Sequence, residues 1–277
     1  MAGQAGSPLT GLPRARGRPY PSGVAARIPP VHDLPPMEGP VTVVGDVHLS
    51  ERDPALERRF LRWLEAQGAQ GGTLVLLGDV FDAWAGPGQE REPRHAALAA
   101  VLGRLAGAGV RLCFQAGNRD FLFRGLPGVP MEIWPDVVRT TWGGRRVLLT
   151  HGDLLVSQDR AYLRLRRFLR WGPTLAVTRM LPYRVRAGLA RGLRRASRHA
   201  VREKPRRWLD IDYGLARRWL EQAGCEVLVA GHVHTGVHHR LGGSPAREVL
   251  VLRDWDHEGG VVRFDGTRVA LVGVGAA

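Results

Sequence analysis

Short apolar runs recur along the chain, and each breaks off at or near a cluster of Gly with Asp, Asn or His. Residues 41–44 lead into Gly45-Asp46-Val47-His48, residues 74–77 into Gly78-Asp79-Val80-Phe81-Asp82, and residues 110–114 towards Gly117-Asn118-Arg119-Asp120. Residues 147–150 lead into His151-Gly152-Asp153, and residues 227–230 into Gly231-His232-Val233-His234. Runs of this kind are the pattern of parallel strands buried on both faces, whose carboxyl ends form the crevice where ligands bind. An α/β domain is therefore predicted, with five strand ends aiming side chains at one place. Residues 54–66 predict a helix with Leu56, Phe60, Leu61 and Leu64 on one face, and residues 93–106 a second that opens on Pro93. Beyond Gly231 the pattern changes to short strands near 236–241, 247–252, 260–264 and 268–272, with turn residues such as Asp265-Gly266 between them.

A lone Gly-Asp after a strand is ordinarily a turn, because both residues favour turns for backbone reasons. Five clusters in the same strand-end context predict a two-metal site instead. Two divalent ions about 3.5–4 Å apart can clamp a phosphoryl group and lower the pKa of a bound water to about 7. Asp79, alone after its strand, suits the shared position. Asp46 and His48 lie two apart on an extended segment, so their side chains fall on one side, and the same holds for His232 and His234. Asn118 offers a neutral oxygen and His151 another imidazole. Carboxylate, amide and imidazole donors without thiolate favour Mn, Fe, Co or Zn, and two divalent ions, Mn(II) foremost, are the expected cofactors. His95, His199, His238, His239 and His257 carry no such context and are read as ordinary core or surface residues.

At 277 residues, 44% of them hydrophobic, the chain is near the upper size of a single core. Cys113 and Cys225 lie in or beside apolar runs and are read as small buried residues in a reducing compartment. No run of 18 apolar residues is present, and residues 1–39 hold no apolar core of a signal peptide. Nine of the 19 prolines fall in residues 1–40, which predicts a disordered or extended Pro/Arg-rich leader before a domain over 41–277.

Charge is distributed unevenly. Residues 160–208 hold 16 Lys or Arg and one acid, so the chain's formal +14 belongs to this segment alone. It also carries Leu163, Leu165, Phe168, Leu169, Trp171, Leu175, Met180, Leu181 and Leu189 at loosely helical spacing. Such a segment suits an anionic membrane surface, with a solvated Arg-rich hairpin as the alternative. Nucleic acid is disfavoured, because no interleaved aromatic stacking platform accompanies the charge.

The order Asp-x-His, Gly-Asp-x-x-Asp, Gly-Asn-x-Asp, His-Gly-Asp, Gly-His-x-His resembles the calcineurin-like metallophosphoesterases. Gly78–Trp84, Gly117–Leu122, Arg145–Asp153, Ser197, Lys204 and Trp255–Gly259 extend the resemblance to the UDP-2,3-diacylglucosamine diphosphatases of lipid A synthesis. It spans roughly residues 41–272. The resemblance implies two packed mixed β-sheets flanked by helices, with residues 160–208 as a helical cap insertion over the metals. It implies one ion on Asp46, His48, Asp79 and His234, and the other on Asp79, Asn118, His151 and His232. Asp153 and Asp120 would orient imidazoles. The substrate-binding residues would be Asn118, Arg119, Asp159, Tyr162, Arg194, Ser197, Lys204 and His232. Val201 and Asp82 depart from the family, which has Asn at the first position and more often Glu at the second.

Arg119 bears on the reaction. Arginine cannot give up a proton to an alkoxide, but it holds phosphate oxygens in a bidentate fork, which suits a diphosphate whose leaving group is itself a phosphate. With Asp79 and Asn118 as its catalytic partners, the expected reaction is hydrolysis of UDP-2,3-diacylglucosamine to UMP and 2,3-diacylglucosamine 1-phosphate. A bacterial cytoplasmic enzyme held peripherally on the inner membrane is implied. The residues alone leave open another nucleotide-sugar, a nucleotide or a nucleic-acid phosphodiester.

Overall fold

The computed structural model describes residues 27–68, 70–205, 208–256 and 258–274. Two six-stranded sheets pack face to face. In the first, β2 (Val41–Val44), β3 (Thr73–Leu77), β4 (Arg111–Gln115) and β5 (Glu132–Trp134) run parallel, and β11 (Gly260–Phe264) and β12 (Val269–Gly273) continue antiparallel from β2. In the second, the order is β1 (His32–Asp33), β6 (Val137–Trp142), β7 (Arg145–Thr150), β8 (Val227–Ala230), β10 (Arg247–Val251) and β9 (His238–Gly242). There β7, β8 and β10 are mutually parallel.

Strand periodicity explains the absence of polar alternation. Val43 and Val75 point between the sheets with Val147, Leu149 and Val229, while Leu74 and Leu76 point the other way towards the helices. Both faces are apolar because both are covered. The helices α1 (Pro54–Gly68) and α2 (His95–Gly107) cover the first sheet. Asp53 caps α1 by accepting from the Leu56 amide at 2.9 Å, ahead of Pro54, a residue suited to the first helical position. Its buried stripe is Leu56, Phe60, Trp63 and Leu64, with Leu61 at the margin. The second helix begins at His95, two residues later than Pro93 implied. On the far face of the second sheet lies α6 (Tyr213–Ala223), capped by Asp212 and closed by Gly224 in the left-handed region.

The segment between β7 and α6 forms three helices, α3 (Arg160–Leu169), α4 (Gly172–Met180) and α5 (Tyr183–Glu203). Neither α3 nor α4 has a buried residue.

Over residues 27–40 the leader takes the extended form and is paired with the second sheet. There β1 pairs with β6, the Leu34 and Met37 amides donate to the carbonyls of Arg139 and Thr141, and Met37 is buried. Arg139 forks onto both carboxylate oxygens of Asp33 at 2.6 and 2.9 Å. Proline lacks an amide donor but tolerates an edge position, so a Pro-rich stretch can seal a sheet edge. The rest of the proposed leader, residues 1–26, lies outside the described residues.

Candidate metal centre

The five predicted clusters follow β2, β3, β4, β7 and β8, neighbouring parallel strands of the two sheets, and meet at one edge of the sandwich. Backbone bonds fasten their loops together. The Asp46 and His48 amides donate to the carbonyls of Gly78 and Asp79, both at 3.0 Å, and the Gly231 amide donates to that of His151 at 2.7 Å. Asp46 crosses between the sheets, accepting from the His232 amide at 2.9 Å.

Two groups of donors result. Asp46, His48 and His234 form one, and Asp79, His151 and His232 the other, the ligand atoms within each lying inside 4.8 Å of one another. The Nε2 atoms of His48 and His234 face each other at 3.2 Å. Asn118 Oδ1 lies 2.9 Å from His232 Nδ1 and 3.2 Å from His151 Nε2, which places it in the second group. All seven residues named from the sequence are thus brought together. Opposed imidazole nitrogens and buried carboxylates, with Asp46 and Asp79 at most 1% exposed, are a donor set that a pair of divalent cations fits.

The backbone carries strain here. Among the described residues, the non-glycine residues with positive φ are Asp46, His48, Asp79, His232 and His234, between 52° and 72°. Each belongs to the predicted ligand set. Strain of this kind persists only where the surroundings over-determine it, and it clusters at functional sites. Glycine makes the crowding possible at two positions. A Cβ on Gly117 would stand 2.2 Å from Asp79 Oδ1, and one on Gly78, at φ 74°, would stand 2.6 Å from His151 Nδ1.

Electrostatics divide the imidazoles. Burial, with Arg119 adding to it, holds His48 well below the ordinary range, and burial beside His151 pushes His232 down to about 4. Burial opposes the charged form of His234 too, yet Asp46 and Asp254 outweigh it and raise that ring to about 10. In His151, burial is likewise outweighed by Asp79 and Asp46, and the pKa rises. Burial alone would raise Asp46, but the neighbouring histidines hold it far below the usual carboxylate range. The site thus favours the neutral form of His48 and His232 and the charged form of His151 and His234.

Two carboxylates take positions other than those expected. Asp120 accepts from the backbone amides of Val80 at 2.9 Å and Gly117 at 2.7 Å, bracing the two loops and not an imidazole; burial and Asp79 push it up to about 7. Asp153 accepts from Tyr162 Oη and Arg166 Nε, both at 2.6 Å. A carboxylate outside the two donor groups, Asp254, meets His234 Nδ1 at 3.2 Å, while His151 Nδ1 meets the Leu77 carbonyl at 3.1 Å. Asp254 was absent from the sequence reading, although it follows β10 just as the other clusters follow their strands.

Of the other expected substrate residues, Arg119, Arg194 and Tyr162 have contacts at this edge. Arg119 reaches Asp79 Oδ2 at 3.1 Å and Asp82 Oδ1 at 2.9 Å, and Arg194 of α5 donates to the same Asp82 oxygen at 2.7 Å. Tyr162 lies 5.7 Å from His232, ring centre to ring centre. Asp159 caps α3 and accepts from Lys204 Nζ at 2.5 Å, joining the start of α3 to the residue after α5. Ser197 is exposed on α5. Nothing is described of the Val201 side chain or of His257.

Paired sheets whose parallel strand ends gather oxygen and nitrogen donors into two adjoining groups define a metal-dependent phosphoesterase. The sequence profile of calcineurin-like phosphoesterases matches residues 39–236, and the chain belongs to that family. A UDP-2,3-diacylglucosamine hydrolase of Pseudomonas savastanoi pv. phaseolicola is 36% identical over 230 residues, spanning 81% of this chain and 92% of that protein. One of Pseudomonas paraeruginosa is 37% identical, spanning 81% of this chain and 95% of its own. A dimetal phosphatase structure from Danio rerio is 14% identical, covers 87% of this chain and all of its own, and has a TM-score of 0.41.

Proposed function

We propose that the chain hydrolyses UDP-2,3-diacylglucosamine to UMP and 2,3-diacylglucosamine 1-phosphate. The observation that carries this reading is near full-length similarity to hydrolases of that name, together with an arginine, not a proton donor, beside the metal ligands. One ion, Mn(II) foremost, would be held by Asp46, His48, Asp79 and His234, the other by Asp79, Asn118, His151 and His232. Bound there, the two ions supply an activated water and neutralise phosphoryl oxygens. The chain's own part is to position and to stabilise. Asn118 presents its oxygen between the two imidazoles of the second group beside Asp79, and Asp46 ties the two groups together through the His232 amide. Arg119, oriented by Asp79 and Asp82, presents its guanidinium to the departing phosphate, whose need is charge stabilisation.

The cap suits an acylated substrate delivered from a membrane. Phe168, Trp171, Val177 and Met180 are 59–85% exposed, beside Leu165, Val185, Leu189 and Leu193, on helices rich in arginine. Among the described residues no helix is long and apolar enough to cross a membrane, so the proposed attachment is peripheral, on the inner face of the bacterial inner membrane. Turnover with Mn(II) of UDP-2,3-diacylglucosamine, UDP-N-acetylglucosamine, p-nitrophenyl phosphate and single-stranded DNA tests the substrate. The diacylated nucleotide-sugar is expected to be preferred by orders of magnitude. A preference for the unacylated sugar or for DNA would overturn the reading.

A further inference from the structure

A helix without a single buried residue has to be held by something other than apolar packing, and α3 is held by one polar stripe. Tyr162, Arg166 and Arg170 are spaced four apart, so they share a face. All three bond to the core: Tyr162 and Arg166 to Asp153, Arg166 to Asp136 Oδ2 at 2.7 Å, and Arg170 to Asp136 Oδ1 at 2.5 Å. Of the apolar residues between them, Leu165 and Phe168 are 44% and 59% exposed, and Leu163 and Leu169 are only half-buried.

Asp136 stands just before β6, whose first residue, Val137, pairs with Thr150, the neighbour of His151. Its two carboxylate oxygens are each occupied by a cap guanidinium. The second arm of one of these reaches further. Arg170 Nη2 donates to the Gly117 carbonyl at 2.8 Å, and its guanidinium lies 5.4 Å from the centre of the Phe121 ring. That carbonyl belongs to the peptide unit that carries Asn118, whose side-chain oxygen meets both His151 and His232.

We propose that Asp136 is a positioning residue for the metal centre: by fixing Arg166 and Arg170 it sets the Gly117–Asn118 peptide and joins cap placement to occupancy of the second metal position. The path runs from carboxylate to guanidinium, to carbonyl, to ligand, through hydrogen bonds of 2.5 to 2.8 Å on the way to Asn118. Arg166 and Arg170 are 12% and 17% exposed, while Asp136 is 36% exposed, so the geometry is held by its two guanidinium partners together and not by burial of the carboxylate.

The inference rests on the two-metal reading above, and the experiment separates the two. Mn(II) binding by the full-length protein is titrated by electron paramagnetic resonance, and turnover is measured on bis(p-nitrophenyl) phosphate, too small to need the acyl-binding cap. If the wild-type chain binds no Mn(II), the two-metal reading fails whatever the variants do. Given binding, Asp136→Asn and Arg170→Gln should each weaken one of the two Mn(II) affinities about tenfold, the one that Asn118→Ala also weakens, as loss of a group supporting a ligand does. Turnover of the small ester should fall with it, and Asp136→Glu should restore much of both. Arg170→Gln keeps the Asp153 anchor and serves if Asp136→Asn does not fold. A raised KM for the diacylated substrate alone, with Mn(II) affinity and small-ester turnover at wild-type values, would overturn the proposal and leave Asp136 a cap anchor only.

Discussion

Asp79 carries the sharpest demand of any side chain. It is buried, held at positive φ, touched by Arg119 through both backbone and guanidinium, and 3.6 Å from His151 Nε2. If it bridges two ions, Asp79→Ala should lose turnover entirely and drop metal content below two per chain by elemental analysis. A variant that kept two metals and near-normal turnover would remove the bridging assignment. Neighbouring roles show where side-chain identity sufficed and where it did not. The ligand types at the strand ends were legible because few residues can hold a metal. The partner of His234 was not, since an acid after Arg253 looks like any charged loop until β10 is known to lie beside β8. Arg119 was expected to meet phosphate; it also meets Asp79 and Asp82, a contact that needs two loops forty residues apart in sequence to be adjacent.

At the scale of elements, β10 shows how a strand is pinned by charge as well as by its ladder. Glu248 accepts from His238 on β9 at 2.6 Å and from Arg145 on β7 at 2.7 Å. Burial would raise its carboxyl from 4.5, but those hydrogen bonds prevail and hold it down to about 2. A carboxylate whose folded pKa is depressed contributes stability above the unfolded pKa and loses it as pH falls through the folded one. Urea unfolding of the wild type and Glu248→Gln should therefore differ most near neutral pH, with the gap closing between pH 4.5 and 2. An equal gap at pH 6 and pH 3 would show that the charge of Glu248 is not what fastens the strands. Helices were readable where burial follows the 3.6-residue period, as in α1. In α3 the bonds to the core come from Tyr162 and Arg166, while Leu165 and Phe168 are exposed, so hydrophobic periodicity pointed to a helix but not to the face it turns to the core.

Across the whole molecule, charge is segregated: the described part of the basic segment, with its exposed apolar side chains, stands over the metal edge. Basic residues near an anionic bilayer contribute about 1 kcal/mol each, so four facing lipid would hold the protein there. That attraction is screened over a Debye length of about 8 Å at physiological ionic strength. Co-sedimentation with vesicles of phosphatidylglycerol should weaken as salt rises, leaving a residue due to inserted side chains. Equal binding to neutral and anionic vesicles, or none at low salt, would return the segment to a solvated helical hairpin.

The chain by itself determined β2–β4 and β7–β12, the strand ends and the donors placed there, but not β1, β5 or β6. Those are local properties: an apolar run buried on both faces, a glycine that lets the backbone turn, and an Asp or His whose chemistry needs no context. Tertiary structure alone decided which sheet each strand joins, that Pro-rich residues 27–40 seal an edge, and which acid meets which guanidinium. With 40 basic and 26 acidic residues the possible pairs are too many for spacing to choose among. Charge acts through space, and a pairing such as Asp136 with Arg166 and Arg170 exists only once the cap is laid across the strand ends.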